Sequence, residues 1–222
     1  MNIEPIAYFR SPFLTKFGVP RQSCLVDGLR GRVDFVAKYA QREALRGLDE
    51  FDYIWLVWGF SANVSAAKHA TVRPPLFGGN ERIGVWATRS SFRPNNLALS
   101  SVRIACVDMS RPSIEVLGAD LMDGTPIYDI KPYLPQVDCH PEAHGGFTDR
   151  RSWQMQPVEF APEVGECLSP SDLAVLRDVL ALDPRPRYHH DNEREYGMPF
   201  MGWDVRFKVS STGLVVTKIG KL

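Results

Sequence analysis

Tyr53-Ile54-Trp55-Leu56-Val57-Trp58-Gly59-Phe60 is the longest apolar run in the chain, and its reading decides the rest. It falls far short of the roughly 20 residues a bilayer-spanning helix needs, and its β-branched and aromatic side chains suit an extended strand. Shorter runs of the same kind recur at Ile3–Phe9, Arg32–Val36, Ile83–Ala87, Leu99–Val107 and Ser113–Leu117. Breaks such as Val72-Arg73-Pro74-Pro75 and Phe77-Gly78-Gly79-Asn80 separate them. Many short strands divided by proline and glycine predict a barrel or sandwich. A single short helix is expected over Tyr39–Arg46, closed by Gly47.

Past Tyr133 the texture changes. The stretch Leu134-Pro135-Gln136-Val137-Asp138-Cys139-His140-Pro141-Glu142-Ala143-His144-Gly145-Gly146 has little periodicity and many breakers, as a linker does. Beyond it, Ser169-Pro170-Ser171-Asp172 reads as an N-cap, a first-turn proline and a first-turn acid. Leu173, Leu176, Val179 and Leu180 then make one apolar face, which ends before Asp183-Pro184. Trp203–Val209 and Leu214–Ile219 form a hairpin around Ser210-Ser211-Thr212-Gly213. The fold class is therefore mainly β with an α+β portion. Residues 1–137 are expected to form a β-barrel, 138–162 a linker, and 163–222 a small C-terminal α/β domain.

With 222 residues and 44% hydrophobic content, the chain can bury more than one core. Its N-terminus, Met1-Asn2-Ile3-Glu4-Pro5, lacks the basic-then-apolar order of a signal peptide, so a soluble cytoplasmic protein without a membrane partner is expected. Cys24, Cys106, Cys139 and Cys167 lie too far apart for a zinc ribbon or redox pair and read as free thiols. Cys139-His140 with His144 sits among Pro141, Gly145 and Gly146, a flexible context, and no metal is expected. Lys+Arg and Asp+Glu both number 26, so net charge attracts no nucleic acid. Charge placement says more. Arg10–Arg32 carries five basic residues against Asp27 alone, and Lys68–Arg93 carries five against Glu81 alone. These are either phosphate-binding surfaces or solvated loops offset by neighbours such as Asp49, Glu50 and Asp52.

No Gly-x-Gly-x-x-Gly or Gly-Lys-Ser/Thr element is present, which argues against nicotinamide dehydrogenases, P-loop enzymes and Rossmann-type methyltransferases. Two polar clusters remain. Ala87-Thr88-Arg89-Ser90-Ser91-Phe92-Arg93-Pro94-Asn95-Asn96 follows an expected strand and has the donors to grip a carboxylate, phosphate or ribose; a structural turn is the alternative. Asp120-Leu121-Met122-Asp123-Gly124-Thr125-Pro126-Ile127-Tyr128-Asp129-Ile130-Lys131-Pro132-Tyr133 gathers carboxylates, a lysine and tyrosines around an Asp-Gly turn. His189-His190, flanked by Arg187, Asp191 and Arg194, reads as a solvated polar loop.

These elements, in this order, resemble the TsaA/YaeB family, whose functionally defined members are the TrmO tRNA methyltransferases. The resemblance rests on Arg10-Ser11-Pro12, Lys16-Phe17, Val19-Pro20-Arg21-Gln22, Arg46-Gly47-Leu48, Val72-Arg73-Pro74-Pro75 and Gly78-Gly79-Asn80. It continues through Gly84–Asn95, Asp123-Gly124-Thr125-Pro126, Asp129–Tyr133 and Asp183-Pro184-Arg185-Pro186. It implies a closed N-terminal barrel, a homodimer, S-adenosylmethionine as methyl donor and, as substrate, N6-threonylcarbamoyladenosine just 3′ of the anticodon in tRNAs reading threonine codons. Where the family often reads Arg-Pro-Asn-Pro-Ile-Gly, this chain has Arg93-Pro94-Asn95-Asn96-Leu97-Ala98; the missing proline and glycine alter that loop's backbone path. Ser61 stands where a histidine is common.

Given that donor, its pocket is expected to be lined by Pro20, Arg21, Gln22, Ser61, Ala62, Arg89, Leu99, Asp120, Leu121, Met122 and Asp123. Methyl transfer needs in-line geometry and a nucleophile free of its proton. Asp129 is the expected base, with Lys131 and Tyr133 tuning or orienting it. Arg93 and Asn95 are expected to read the threonyl carboxylate, and Arg185 and Arg187 to grip the anticodon stem of tRNA rather than DNA. The rival readings are a non-catalytic module that binds S-adenosylmethionine or a nucleotide, and a methyltransferase for another acceptor.

Overall fold

The computed structural model describes residues 2–62, 70–74, 81–150, 154–162, 164, 167–185 and 194–222. Its first eight strands are β1 (Ala7–Arg10), β2 (Arg30–Phe35), β3 (Tyr53–Gly59), β4 (Thr71–Val72), β5 (Ile83–Gly84), β6 (Leu97–Asp108), β7 (Ser113–Leu117) and β8 (Pro126–Pro132). Six of them close into a barrel in the order β1-β2-β7-β6-β3-β8, with β8 paired back to β1. The expected strand-rich barrel is thus present. Strands β4 and β5 form a separate two-stranded ribbon.

The opening apolar run is β3, flanked on both edges by antiparallel partners, β6 and β8. Ile54, Leu56 and Trp58 fill the barrel with Val102, Ile114, Val116 and Ile127. Tyr53, Trp55 and Val57 alternate with them and occupy the outer face, as the period of two requires. Strand β8 was not legible as a strand, and its pairing explains why. A bulge at Val57/Trp58 sets Ile127 beside Trp58 but Asp129 beside Val57. Ile127 and Ile130, three residues apart, therefore both meet the core, which breaks simple alternation.

Other boundaries shift for local reasons. The strand expected over Ile83–Ala87 keeps only Ile83–Gly84, because Val85–Ala87 coils into a 3-10 turn. The expected Tyr39–Arg46 helix shrinks to one turn, α1 (Arg42–Leu45), before Gly47 at φ +81°. Asp123-Gly124 makes the expected turn, with Gly124 at φ +73°. A second one-turn helix, α2 (Pro135–Asp138), follows β8.

The C-terminal part contains β9 (Val158–Phe160), α3 (Pro170–Ala181), β10 (Glu195–Phe200), β11 (Trp203–Val209) and β12 (Leu214–Lys221). The sheet order is β10-β11-β12-β9, with β9 parallel to β12. Ser169 caps α3 by accepting the Asp172 N–H at 3.1 Å, and Val175, Leu176, Val179 and Leu180 are buried. Strand β10 contains Pro199 and lies at the sheet edge, where a missing donor is tolerated.

The two parts share a core. Phe13, Val26 and Leu29, all from the segment between β1 and β2, belong to the same buried cluster as Leu176, Met198, Phe200 and Phe207. The Phe13 and Phe200 rings lie 5.4 Å apart, and the Met201 N–H donates to the Pro12 carbonyl at 3.1 Å. Gly18, at φ +91°, lies so close to Met198 that a Cβ would come 2.0 Å from its sulfur. Phe13→Ala should therefore cost about 3–5 kcal/mol of stability in denaturant unfolding, with both parts losing structure together. A loss confined to one part, or one below about 1 kcal/mol, would contradict a shared core.

Candidate functional site

Strand β6 places Ala98, Ser100, Val102 and Ile104 toward the barrel interior, so one hydroxyl interrupts an apolar stripe. Buried Ser100 accepts a hydrogen bond from Trp58 Nε1 at 3.0 Å and donates to Asp120 Oδ1 at 2.6 Å. Burial pushes the Asp120 carboxyl above the ordinary aspartate range, opposed by Ser100, the nearby Arg89 charge and the Ser23 N–H. Ser100, Trp58 and Ser23 were not singled out from the sequence. A polar residue at an inward position of a predicted strand was the available signal for Ser100.

Two loops converge on Asp120. Arg89 Nη1 donates to Gln22 Oε1 at 2.6 Å, tying the loop after β5 to the segment before β2. That segment is anchored by the Cys24 N–H on the Gly118 carbonyl at 2.7 Å, with Cys24 at φ +61°. Pro20 is buried and Arg21 half-buried beside Gln22. The expected donor residues are thus partly assembled, with Gln22, Arg89 and Asp120 at one end of the barrel.

The remaining residues of that set divide by environment. Leu99 is 54% exposed on the outer face, paired with Val57, and Ser61 and Ala62 are exposed past the end of β3. Leu121 is a barrel-core residue. The Met122 carbonyl accepts from Thr125 Oγ1 at 2.7 Å. Asp123 Oδ1 accepts the Ser11 N–H at 3.0 Å, with Arg10 3.8 Å from Oδ2, so this carboxylate staples the turn to the start of the interdomain segment.

Asp129, Lys131 and Tyr133 lie on or just after β8. Asp129 pairs with Val57, which pairs with Leu99 on its other side, and two strand spacings put Asp129 about 10 Å from Leu99. Asp129 Oδ2 is 3.2 Å from Lys131 Nζ, and Oδ1 accepts the Ile130 N–H at 2.9 Å. Tyr133 packs against Trp55 and Tyr53, with ring centroids 5.5 and 6.1 Å away. Loss of water contact, then Cys139 and Asp138, raises its phenol pKa, so it is a proton donor at neutral pH.

Arg93 is held within its own loop. Its Nη1 donates to the carbonyls of Thr88 at 2.7 Å and Val85 at 3.1 Å, and its guanidinium lies 5.3 Å from the Trp86 ring centre. Asn95 is exposed. Asn96 adopts φ +50°, which asparagine tolerates and a proline locked near −65° cannot reach. In the C-terminal part, Arg185 Nε contacts both oxygens of buried Asp183 at 3.1 Å. Arg187 and His189-His190 lie outside the described residues, as do Lys68, Pro75 and Gly78-Gly79-Asn80.

A donor that combines a carboxylate, a cationic sulfonium and an adenosine needs a guanidinium, carboxylate or carbonyl oxygens, and apolar surface. Arg89, Asp120 and Leu99 are side chains of those three kinds. Among the described residues, no three His, Cys, Asp or Glu side chains are grouped to hold a metal ion, and no helix is long and apolar enough to cross a membrane.

Asp120 carries a stability penalty with a definite sign. Its folded pKa lies above the unfolded value of about 3.9, so stability falls as pH rises through the interval between them and the loss is complete above it. Asp120→Asn should therefore raise the melting temperature more at pH 7 than at pH 4. Equal shifts at both pH values would contradict a half-buried, penalised carboxylate. Asn96→Pro should lower the melting temperature, while Asn96→Gly should leave it nearly unchanged. Equal tolerance of both would mean the loop does not need the left-handed conformation.

Comparison with known proteins fits this geometry. The chain matches the tRNA-methyltransferase O N-terminal domain over residues 8–139 and the TrmO C-terminal domain over residues 153–222. It is 39% identical over 225 residues to the tRNA (adenine(37)-N6)-methyltransferase of Escherichia coli (strain K12), covering 97% of this chain and 96% of that one. It is 35% identical to Pseudomonas aeruginosa RcsF, whose name describes a candidate S-adenosylmethionine-dependent methyltransferase, covering 96% and 95%. A crystal structure of TrmO from Pseudomonas aeruginosa superposes with a TM-score of 0.81 at 28% identity, covering 99% of this chain and 98% of that one. Matching domains at both ends, near-complete coverage and a shared barrel place the chain in the tRNA-methyltransferase O family of tRNA-methylating enzymes.

Proposed function

We propose that the chain methylates N6 of adenosine 37 in tRNA, using S-adenosylmethionine, and that the adenosine it takes is the N6-threonylcarbamoyl form in tRNAs reading threonine codons. The observation that carries this reading is the cluster of Gln22, Arg89 and Asp120 at one end of the barrel. It belongs to a chain 39% identical, nearly end to end, to an adenine-37 N6-methyltransferase. Relatives from Pseudomonas aeruginosa and Pyrococcus abyssi are named for S-adenosylmethionine. The working protein is proposed to be a cytoplasmic homodimer.

When bound, the donor supplies an electrophilic methyl group on a sulfonium. In this reading Arg89 holds the donor's carboxylate, with Gln22 steadying the guanidinium. Asp120, fixed by Ser100 and Trp58, accepts hydrogen bonds from the donor's polar groups. The ureido nitrogen of the acceptor has its lone pair delocalised and reacts poorly while it keeps its proton. Asp129 is the proposed acceptor of that proton, oriented by Lys131, with the Tyr133 phenol donating to the nucleobase. The donors of Arg93 not spent on Thr88 and Val85, together with Asn95, read the threonyl carboxylate. Arg185 and Arg187 grip the anticodon stem, Arg185 from its bond to Asp183.

Nucleoside mass spectrometry of tRNA from cells with and without the gene should show loss of N6-methyl-threonylcarbamoyladenosine alone. Loss of a different methylated nucleoside would refute the substrate, and donor binding without turnover on modified tRNA would favour a sensor. With purified protein, Arg89→Ala should weaken donor binding about tenfold, the equivalent of about 1.4 kcal/mol. Asp129→Asn should lower turnover by about 10²–10⁴ with donor affinity unchanged. Full turnover in Asp129→Asn would exclude it as the base.

A further inference from the structure

The loop between β5 and β6 presents two aromatic side chains to solvent, Trp86 at 71% and Phe92 at 53% exposure. Both belong to a loop with extensive internal hydrogen bonds. Arg93 donates to the Val85 and Thr88 carbonyls. Thr88 Oγ1 donates to the Val85 carbonyl at 3.0 Å, and the Phe92 N–H donates to Ser90 Oγ at 3.2 Å. The Asn96 N–H closes the loop on the Arg93 carbonyl at 3.1 Å. Trp86 stays mostly exposed even with the Arg93 guanidinium against its ring. Exposing a large ring on a braced loop gains nothing for folding and reads as a contact held ready for a partner.

The surrounding charge identifies the partner's chemistry. From Arg82 to Val107 the chain has four arginines and no carboxylate. Among the described residues, Arg82, Arg89 and Arg93 make no ion pair: Arg82 donates to Thr71 Oγ1, Arg89 to Gln22, and Arg93 to carbonyls. The first basic stretch differs, since Arg10 and Arg32 are paired with Asp34, and Arg30 lies 3.9 Å from Glu115. Guanidinium groups such as Arg82 and Arg93, with no carboxylate paired to them among the described residues, beside exposed aromatic rings match single-stranded RNA, whose phosphates meet the cations while unstacked bases lie on the rings. A small donor molecule is mostly enclosed by its pocket, which a ring 71% exposed does not provide.

We infer that Trp86 and Phe92 form a stacking platform for splayed nucleobases of the tRNA anticodon loop, beside the base being methylated. This deepens the proposed function and rests on it. The platform explains how an adenosine could be drawn out of its stack and kept out while the loop stays fixed by Arg93. Stacking needs no base-specific hydrogen bond, so it adds affinity for an open loop without reading sequence.

The test compares wild type with Trp86→Ala, Phe92→Ala and Trp86→Phe in full-length protein. Three quantities are measured: affinity for tRNA carrying threonylcarbamoyladenosine, affinity for S-adenosylmethionine, and mass by sedimentation. Trp86→Ala is expected to weaken tRNA binding about tenfold or more, Phe92→Ala less, and Trp86→Phe to keep most of it. Donor affinity and mass should match wild type, which also shows that the variants fold. Unchanged tRNA affinity in Trp86→Ala overturns the platform. So does a loss of donor affinity, which would assign the ring to the donor's adenine, or a fall in mass, which would assign it to contact between copies. A wild-type chain that fails to bind the tRNA overturns the proposed function along with the platform.

Discussion

Strand β3 is hydrogen-bonded along both edges, to β6 on one side and β8 on the other, and its register governs everything built on the barrel. Side chains alternate faces along a strand, so a one-residue slip would expose Ile54, Leu56 and Trp58 and bury Tyr53 and Trp55. The register that buries the first set also positions the proposed site. It turns the Trp58 indole inward onto Ser100, lines up Leu99, Val57 and Asp129 across the outer face, and places Trp55 and Tyr53 under the Tyr133 ring. The bulge opposite Val57 and Trp58 completes this arrangement, because it brings Asp129 rather than Tyr128 into the Val57 row.

The barrel end then shows a conflict between stability and the proposed function. Asp120 is half-buried, which disfavours its charge, yet Trp58 and Ser100 form a chain of hydrogen bonds that holds it in one orientation. A hydrophobic replacement at Ser100 would leave both the Trp58 N–H and the carboxylate without this partner, and unmet buried polar groups cost more than the bond contributes when made. Such an arrangement suits a site that must present a carboxylate in a defined direction. The segment from Ser11 to Leu29 connects this end of the barrel to the C-terminal core. Asp123 holds its start, Gln22 meets Arg89, and Phe13, Val26 and Leu29 pack among C-terminal side chains.

The two basic stretches, alike in composition, separate in three dimensions. Much of the first is neutralised across the β1–β2 and β2–β7 pairs by Asp34 and Glu115, residues that lie outside it or on a neighbouring strand. In the second, Arg82, Arg89 and Arg93 brace loops through oxygen acceptors that carry no charge, and of these Arg89 also lies near the Asp120 carboxyl. Arg93 illustrates how a loop can be stiffened by the residue type best suited to bind anions, since a guanidinium has donors to spare.

Strand character at Tyr53–Phe60, the capped helix at Ser169-Pro170 and the turns at Asp123-Gly124 and Gly47 were readable from local patterns, because each depends on side chains close in sequence. The motif order also pointed to the two loops that the proposed site uses. Three things were not readable in this way. Strand β8 was masked by a bulge whose existence depends on β3, a partner about 70 residues earlier. Ser100 and Trp58 acquire their role only when β3 and β6 pair and the barrel closes around Asp120. The share of the C-terminal core supplied by Phe13, Val26 and Leu29 follows from packing between segments more than 100 residues apart. The sequence alone determined which segments could be strands, turns and loops, since backbone preference and alternation are local. Tertiary structure alone decided which polar groups became buried partners and which charges were cancelled, because burial and ion pairing depend on what the fold brings alongside.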